Sequence, residues 1–182
     1  MMKRASGVNP HGPRSRSKRT KIALLGNSPE LSESLTIESK RILVVDDDPG
    51  VRTSLGDVLL TEGYAVFPAK DGQQAVELAR STEVDLVLLD LNMPVKNGWD
   101  TFEQLTREHP LVPIIIVTAR PNQFFTALAA GAGALMEKPM DIPTLLRTIK
   151  RLLSEPPETR LARLAGRETD FHYFAARKSP AA

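Results

Sequence analysis

Residues 41–50 read RILVVDDDPG, four apolar residues running straight into Asp46, Asp47 and Asp48 with a proline and a glycine behind them. Three of the four apolar residues are β-branched, and a run of this length suits a fully buried strand. Asp48 then stands as N-cap of a helix with Pro49 at its first position. Val51, Leu55, Val58 and Leu59 fall on one face of that helix. A strand, a helix and three like charges at their junction are the pattern to explain.

The same alternation continues along the chain. Short apolar runs recur at YAVF (64–67), VDLVLL (84–89), PIIIV (113–117) and ALM (134–136). Between them lie helical spacings in DGQQAVELARS (71–81, capped by Asp71), WDTFEQLTRE (99–108) and NQFFTALAAG (122–131, closing on Gly131). Asp141 caps the last and clearest helix, whose Leu145, Leu146, Ile149, Leu152 and Leu153 form one stripe, before Pro156-Pro157 stops or kinks it. Five strands, each followed by a helix, predict an α/β, doubly wound, five-stranded parallel sheet rather than an eight-fold barrel. Buried parallel strands also account for runs that do not alternate with polar residues.

Composition narrows the class. The chain has 182 residues, 41% hydrophobic, and no cysteine, which excludes disulfides and any cysteine-based nucleophile or zinc site. No apolar run approaches the roughly 18–20 residues that span a bilayer, so a cytoplasmic protein is expected. The formal charge of +2 conceals an asymmetry: residues 1–21 carry +7 and no acid, leaving −5 on the rest. Residues 1–40 are poor in apolar side chains and read as a disordered basic leader. Residues 41–154 read as the folded domain, and 155–182 as a tail with room for one short helix.

In open parallel sheets, ligands bind beyond the carboxyl ends of the strands, where the strand order reverses. The first strand delivers Asp46, Asp47 and Asp48 to that end, the third Asp90, the fourth Thr118 and the fifth Lys138. With strands one and three adjacent, as in the order 2-1-3-4-5, carboxylates meet in one crevice. Two such charges about 4 Å apart repel by roughly 4 kcal/mol at an effective dielectric near 20. An all-oxygen site of this kind suits Mg²⁺, with Mn²⁺ as the alternative. Lys138 and Thr118 add an ammonium and a hydroxyl suited to clamping a phosphoryl group in transfer.

The segments ILVVDDDP, LVLLDLNMPVKNGW, IIIVTA and MEKPMDIPTLL, in this order and spacing, resemble the signature segments of the response regulator receiver domain of two-component signalling, in its stand-alone, chemotaxis-receiver-like form. The resemblance implies a flavodoxin-like fold and phosphorylation of Asp90 by a sensor histidine kinase or a histidine phosphotransfer protein. It implies that Asp47 ligates Mg²⁺ directly, Asp46 mainly through water, and that Asp90 and the backbone carbonyl of Asn92 complete the protein ligands. Thr118 and Lys138 would contact the phosphoryl oxygens, and Lys138-Pro139 would be a cis peptide bond. Asp48 is expected to serve the helix terminus rather than the metal. Such a domain is a phosphoacceptor switch that catalyses its own phosphorylation and dephosphorylation, not a turnover enzyme. Its face of helix four, strand five and helix five would be read by a downstream protein, with a homodimer as one phosphorylated form.

Three positions depart from the family pattern. Leu135 stands where receivers commonly carry Tyr or Phe, so the aromatic part of the usual switch is expected to be missing. Arg120, two residues past Thr118 and just before a helix start at Pro121, either leans toward the phosphoryl group or is simply solvated. Gly133 replaces an acid.

Two rival readings remain. A Mg²⁺-dependent phosphohydrolase of the haloacid-dehalogenase type also uses an aspartyl phosphate, and Asp46-x-Asp48 mimics its nucleophile signature, but the motif order here is the receiver's. The basic arm is a candidate for nucleic acid, although it lacks interleaved aromatics. About 28 residues follow Ser154, too few for an ordinary helix-turn-helix unit, so DNA binding is not expected and output through protein contacts is. In the tail, Leu161, Leu164 and Ala165 are predicted on one side of a helical turn and Arg160, Arg163 and Arg167 elsewhere. Phe171, Tyr173 and Phe174 read as a strap packing back on the domain rather than as docking anchors. His109 reads as a loop residue, and Trp99 and Met93 as packing residues.

Overall fold

In the computed structural model, residues 39–93, 97–167 and 171–176 are described, so the predicted leader at 1–40 lies almost wholly outside them. The first strand, β1 (Arg41–Val45), is followed by α1 (Pro49–Thr61), β2 (Ala65–Ala69), α2 (Gly72–Ser81), β3 (Leu86–Leu89) and α3 (Gly98–Glu108). Then come β4 (Ile114–Thr118), α4 (Phe124–Ala129), β5 (Ala134–Glu137), α5 (Ile142–Leu153), α6 (Pro157–Leu164) and β6 (His172–Phe174). The strands are all parallel in the order 2-1-3-4-5-6. The doubly wound sheet is as predicted, and the sixth strand corrects the expected five. Three residues are too few to carry a periodic signal, and β6 forms where the edge of β5 offers it partners.

The alternation along each strand divides the core in two. Leu43, Val45, Val87, Leu89, Ile114, Ile116 and Leu135 face the side covered by α2, α3 and α4. Ile42, Val44, Leu86, Leu88, Ile115, Val117, Ala134 and Met136 face α1 and α5. Helix starts follow local chemistry: Asp48 accepts from the N–H groups of Gly50 and Val51 at 2.7 and 3.1 Å, Asp71 from Gln74 at 2.8 Å, and Asp141 from Thr144 at 3.0 Å.

Two further corrections concern helix placement. No helix begins at Pro121: α4 starts at Phe124 with Gln123 as N-cap, after Asn122 has taken the left-handed conformation at φ 61°. In α6 the predicted faces are inverted, with Arg160 and Arg163 buried at 2% and 3% exposure and Leu161 46% exposed. Arg160 donates to the carbonyl of Gly131, and Arg163 forms a buried ion pair with Glu155 at 2.5 Å. Polar partners after α4 and in the link between α5 and α6 thus override the apolar stripe of α6. Pro156-Pro157 ends one helix and opens the next, with Pro156 as N-cap of α6.

Candidate functional site

The carboxyl ends of β1, β3, β4 and β5 converge as the strand order requires. Parallel pairing of β1 with β3 in the register Val45↔Leu89 sets Asp46 beside Asp90. Carboxylate oxygens of Asp46, Asp47 and Asp90 lie within 4.8 Å of one another, with Asp46 and Asp90 buried and Asp47 exposed. Lys138 bridges the two buried acids, its Nζ 2.6 Å from Asp46 Oδ2 and 2.6 Å from Asp90 Oδ2. Burial alone would lower the Lys138 pKa, but the hydrogen bonds from these two carboxylates outweigh it and hold the ammonium above the ordinary lysine value.

Backbone donors fix the other carboxylate oxygens. The N–H of Asp48 donates to Asp46 Oδ1 at 2.9 Å, and the N–H of Asn92 to Asp90 Oδ1 at 2.8 Å. Thr118, fully buried at the end of β4, accepts on Oγ1 from the N–H of Arg120 at 3.1 Å, which leaves its hydroxyl proton free to donate elsewhere. The Lys138-Pro139 bond is cis. Asp48 is committed to capping α1, as expected from the sequence.

Charge decides what this pocket accepts. Three carboxylates against one ammonium leave two negative charges, so the donor set fits a divalent, oxygen-preferring cation. Asn92 sits in the turn beside Asp90, where its contribution to such a site was expected. Arg120 reaches Asn92 rather than Asp90, with Nε 3.4 Å from Asn92 Oδ1.

Two neighbours escaped the sequence reading. Arg52, on α1, donates from Nη1 to the backbone carbonyl of Asp46 at 2.6 Å; nothing in a helix-face arginine announces that contact. Gly98, the first residue of α3, lies so close to the loop after β3 that a Cβ would come within 2.4 Å of Leu91 Cα and 2.8 Å of the Asp90 carbonyl. The Asn97-Gly98 pair was its one available signal. Gly133, where the family often carries an acid, is closely enclosed: a Cβ would meet Leu152 Cδ1 at 2.9 Å and the Ile114 carbonyl at 3.2 Å, so that neighbours would have to shift. Trp99 and Met93 pack in the core, as predicted. His109 is the C-cap of α3.

The family model for the response regulator receiver domain matches residues 42–150. Protein PilH of Pseudomonas aeruginosa is 38% identical over 118 residues, covering 63% of this chain and 98% of PilH. Response regulator MprA of Mycolicibacterium vanbaalenii is 40% identical over 115 residues, covering 62% of this chain but only 50% of MprA, so the chain spans about half the length of that relative. Among solved structures, a CheY-like receiver domain protein of Methanospirillum hungatei superposes with a TM-score of 0.62 at 32% identity, over 66% of this chain and 97% of that one. The response regulator TrrA of Thermotoga maritima, in complex with Mg²⁺ and beryllofluoride, gives 0.58 at 32% identity, over 62% and 98%.

Proposed function

This chain belongs to the response regulator receiver domain family, and on that footing we propose that it takes a phosphoryl group onto Asp90 from a phosphohistidine of a sensor kinase or phosphotransfer protein. The observation that carries the reading is Lys138 bridging Asp46 and Asp90, with Asp47 completing an acidic pocket at the carboxyl ends of the strands. A carboxylate oxygen of Asp90 attacks phosphorus, the N–P bond to the donor imidazole breaks, and an acyl phosphate forms. Lys138 exchanges its contact with Asp90 for a phosphoryl oxygen, and the Thr118 hydroxyl donates to another. Asp46, Asp47, Asp90 and the Asn92 carbonyl would hold Mg²⁺, or Mn²⁺, whose charge offsets that of the carboxylates and the incoming oxygens. Attack by water later releases phosphate and restores Asp90, so the domain works as a switch rather than as a turnover catalyst.

The phosphohydrolase alternative needs Asp48 as a second acid in the pocket. Asp48 instead spends its carboxylate on the Gly50 and Val51 amides. We read the output as contact with a downstream protein in the cytoplasm, with the folded receiver at 41–154. The basic arm as a nucleic-acid element remains a separate proposal for residues outside those described.

The test is intact mass after incubation with acetyl phosphate, with and without Mg²⁺, beside Asp90→Asn. A single Mg²⁺-dependent phosphoryl adduct, absent from the variant, is expected. An adduct that persists in Asp90→Asn would overturn the assignment of the acceptor.

A further inference from the structure

The C-terminal strand is connected to the surroundings of the site by two separate routes. β6 adds to β5 in the register Ala134↔His172, Leu135↔Tyr173 and Met136↔Phe174. Leu135, fully buried and without the ring usual at its position, therefore has a tyrosine beside it on the neighbouring strand.

The first connection runs through Phe124, the first residue of α4, which follows Thr118 by one short loop. Its ring meets Tyr173 at 5.3 Å and Phe171 at 5.6 Å between centroids, both edge-on. The second runs through Glu137, the chain neighbour of Lys138. Both of its carboxylate oxygens are taken by the C-terminal segment, one by the Tyr173 hydroxyl at 2.7 Å and the other by the N–H of Ala176 at 3.1 Å. Thus Phe124, at the end of the loop that follows Thr118, and Glu137, the chain neighbour of Lys138, are both held by the segment that carries β6; Thr118 and Lys138 are the two groups that must move when Asp90 carries phosphate.

The hold is of a kind that can be released. β6 has three residues against four or five in each other strand, and Tyr173 is 41% exposed. An open groove lined by Met136, Met140, Asp141 and Thr144 runs alongside Tyr173 and Phe174. Displacing β6 would bare the edge of β5 and the ring of Phe124, a surface of the type that accepts an extended segment by strand addition.

We propose that β6 is a latch on the edge of β5 that reads the state of the acidic pocket. It is seated while Lys138 bridges Asp46 and Asp90, and it leaves β5 when a phosphoryl group on Asp90 draws Lys138 and Thr118 toward itself. The latch rests on the phosphoacceptor reading above. By linkage, an open latch must bind the phosphoryl mimic more tightly by the same factor by which the mimic favours opening, and a substitution that weakens the latch gains part of that factor.

The experiment uses the full chain, beryllofluoride with Mg²⁺ as the phosphoryl mimic, and Tyr173→Phe, which keeps the ring and removes the bond to Glu137. Trp99, the one tryptophan, donates from Nε1 to Gln123 at the start of α4 at 3.0 Å, so its fluorescence reports occupancy. Hydrogen exchange at residues 172–176 is expected to accelerate about tenfold when the mimic binds. Tyr173→Phe is expected to bind the mimic about threefold more tightly than the native chain, the reciprocal effect. A Trp99 response with unchanged exchange in β6 and equal affinity in the variant would overturn the latch while leaving the phosphoacceptor reading intact. No binding of the mimic by the native chain would instead overturn the phosphoacceptor reading, and the latch with it.

Discussion

Asp47 differs from its two companions in the pocket. Asp46 and Asp90 are buried and share Lys138, whereas Asp47 is exposed and takes no part in that bridge. Its charge therefore adds repulsion to the free protein and attraction to a bound cation. Asp47→Asn should leave the melting temperature in EDTA unchanged or slightly raised. In the native chain, Mg²⁺ at about one hundred times its dissociation constant should add about 2.7 kcal/mol of stability, and the variant should lose most of that increment. Thermal melts with and without Mg²⁺ read both effects; an undiminished Mg²⁺ shift in the variant would remove Asp47 from the metal site. Gly98 is the steric counterpart. A methyl group there must displace the backbone at Asp90 and Leu91, because a Cβ 2.4 Å from Leu91 Cα has no alternative placement. Gly98→Ala should cost about 1–3 kcal/mol in urea unfolding, the range for overpacking, and slow adduct formation from acetyl phosphate. Native stability and rate in that variant would show that the loop yields freely.

The beginnings of the elements were legible because their chemistry is local. An aspartate with proline or glycine one or two residues later, before a periodic apolar stretch, marked Asp48, Asp71 and Asp141, and all three accept from backbone amides as caps. Asp48 allows the cap to be separated from the pocket. Asp48→Ala frees the amides of Gly50 and Val51 and should lower stability by about 1 kcal/mol. The Mg²⁺-dependent increment in melting temperature should remain, and its disappearance would mean that Asp48 serves the metal as well as the helix terminus. Helix α6 was not legible in the same way. Its leucines give a stripe that points inward on any helical wheel, yet Arg160 and Arg163 are the residues the fold buries. Their partners, the Gly131 carbonyl after α4 and Glu155 in the link before α6, lie outside the helix, and its periodicity does not encode such pairings. Burial and the neighbouring charge of Arg163 lower the Arg160 pKa to about 10, a sign that this arrangement is held by the surrounding fold against the preference of the arginine.

At the scale of the whole chain, the order of the first five strands was legible through the family resemblance of the segments at their carboxyl ends, and that order brings Asp46, Asp90 and Lys138 together. β6 was not, since a three-residue pairing across 38 positions leaves no periodicity to find. The opposite end of the sheet is held by a different set of charges. Asp85, just before β3, accepts from the N–H of Arg41 at 2.8 Å, from Arg41 Nε at 3.2 Å and from Lys40 Nζ at 3.0 Å, tying the start of β1 to that of β3. Burial pushes the Asp85 pKa up, but these hydrogen bonds outweigh it and leave the carboxyl below its ordinary value. On the surface, Arg80 forks onto Glu108 between α2 and α3 and holds that carboxyl at about 2. Both groups are more acidic in the folded chain than in the unfolded one. Their contribution is therefore complete above the unfolded carboxylate values near 4 and is lost as pH falls through the folded values. Urea unfolding free energy should accordingly decline below about pH 4. Asp85→Asn should be less stable than the native chain at pH 7 by about 1 kcal/mol or more, the cost of weakened hydrogen bonds to a charged acceptor. Its stability should fall less steeply with acid, so that the two curves converge as Asp85 is protonated in the folded native chain as well as in the unfolded one. Parallel curves across that range would mean that Asp85 has the same acidity folded and unfolded, and that the tie between β1 and β3 owes nothing to its charge.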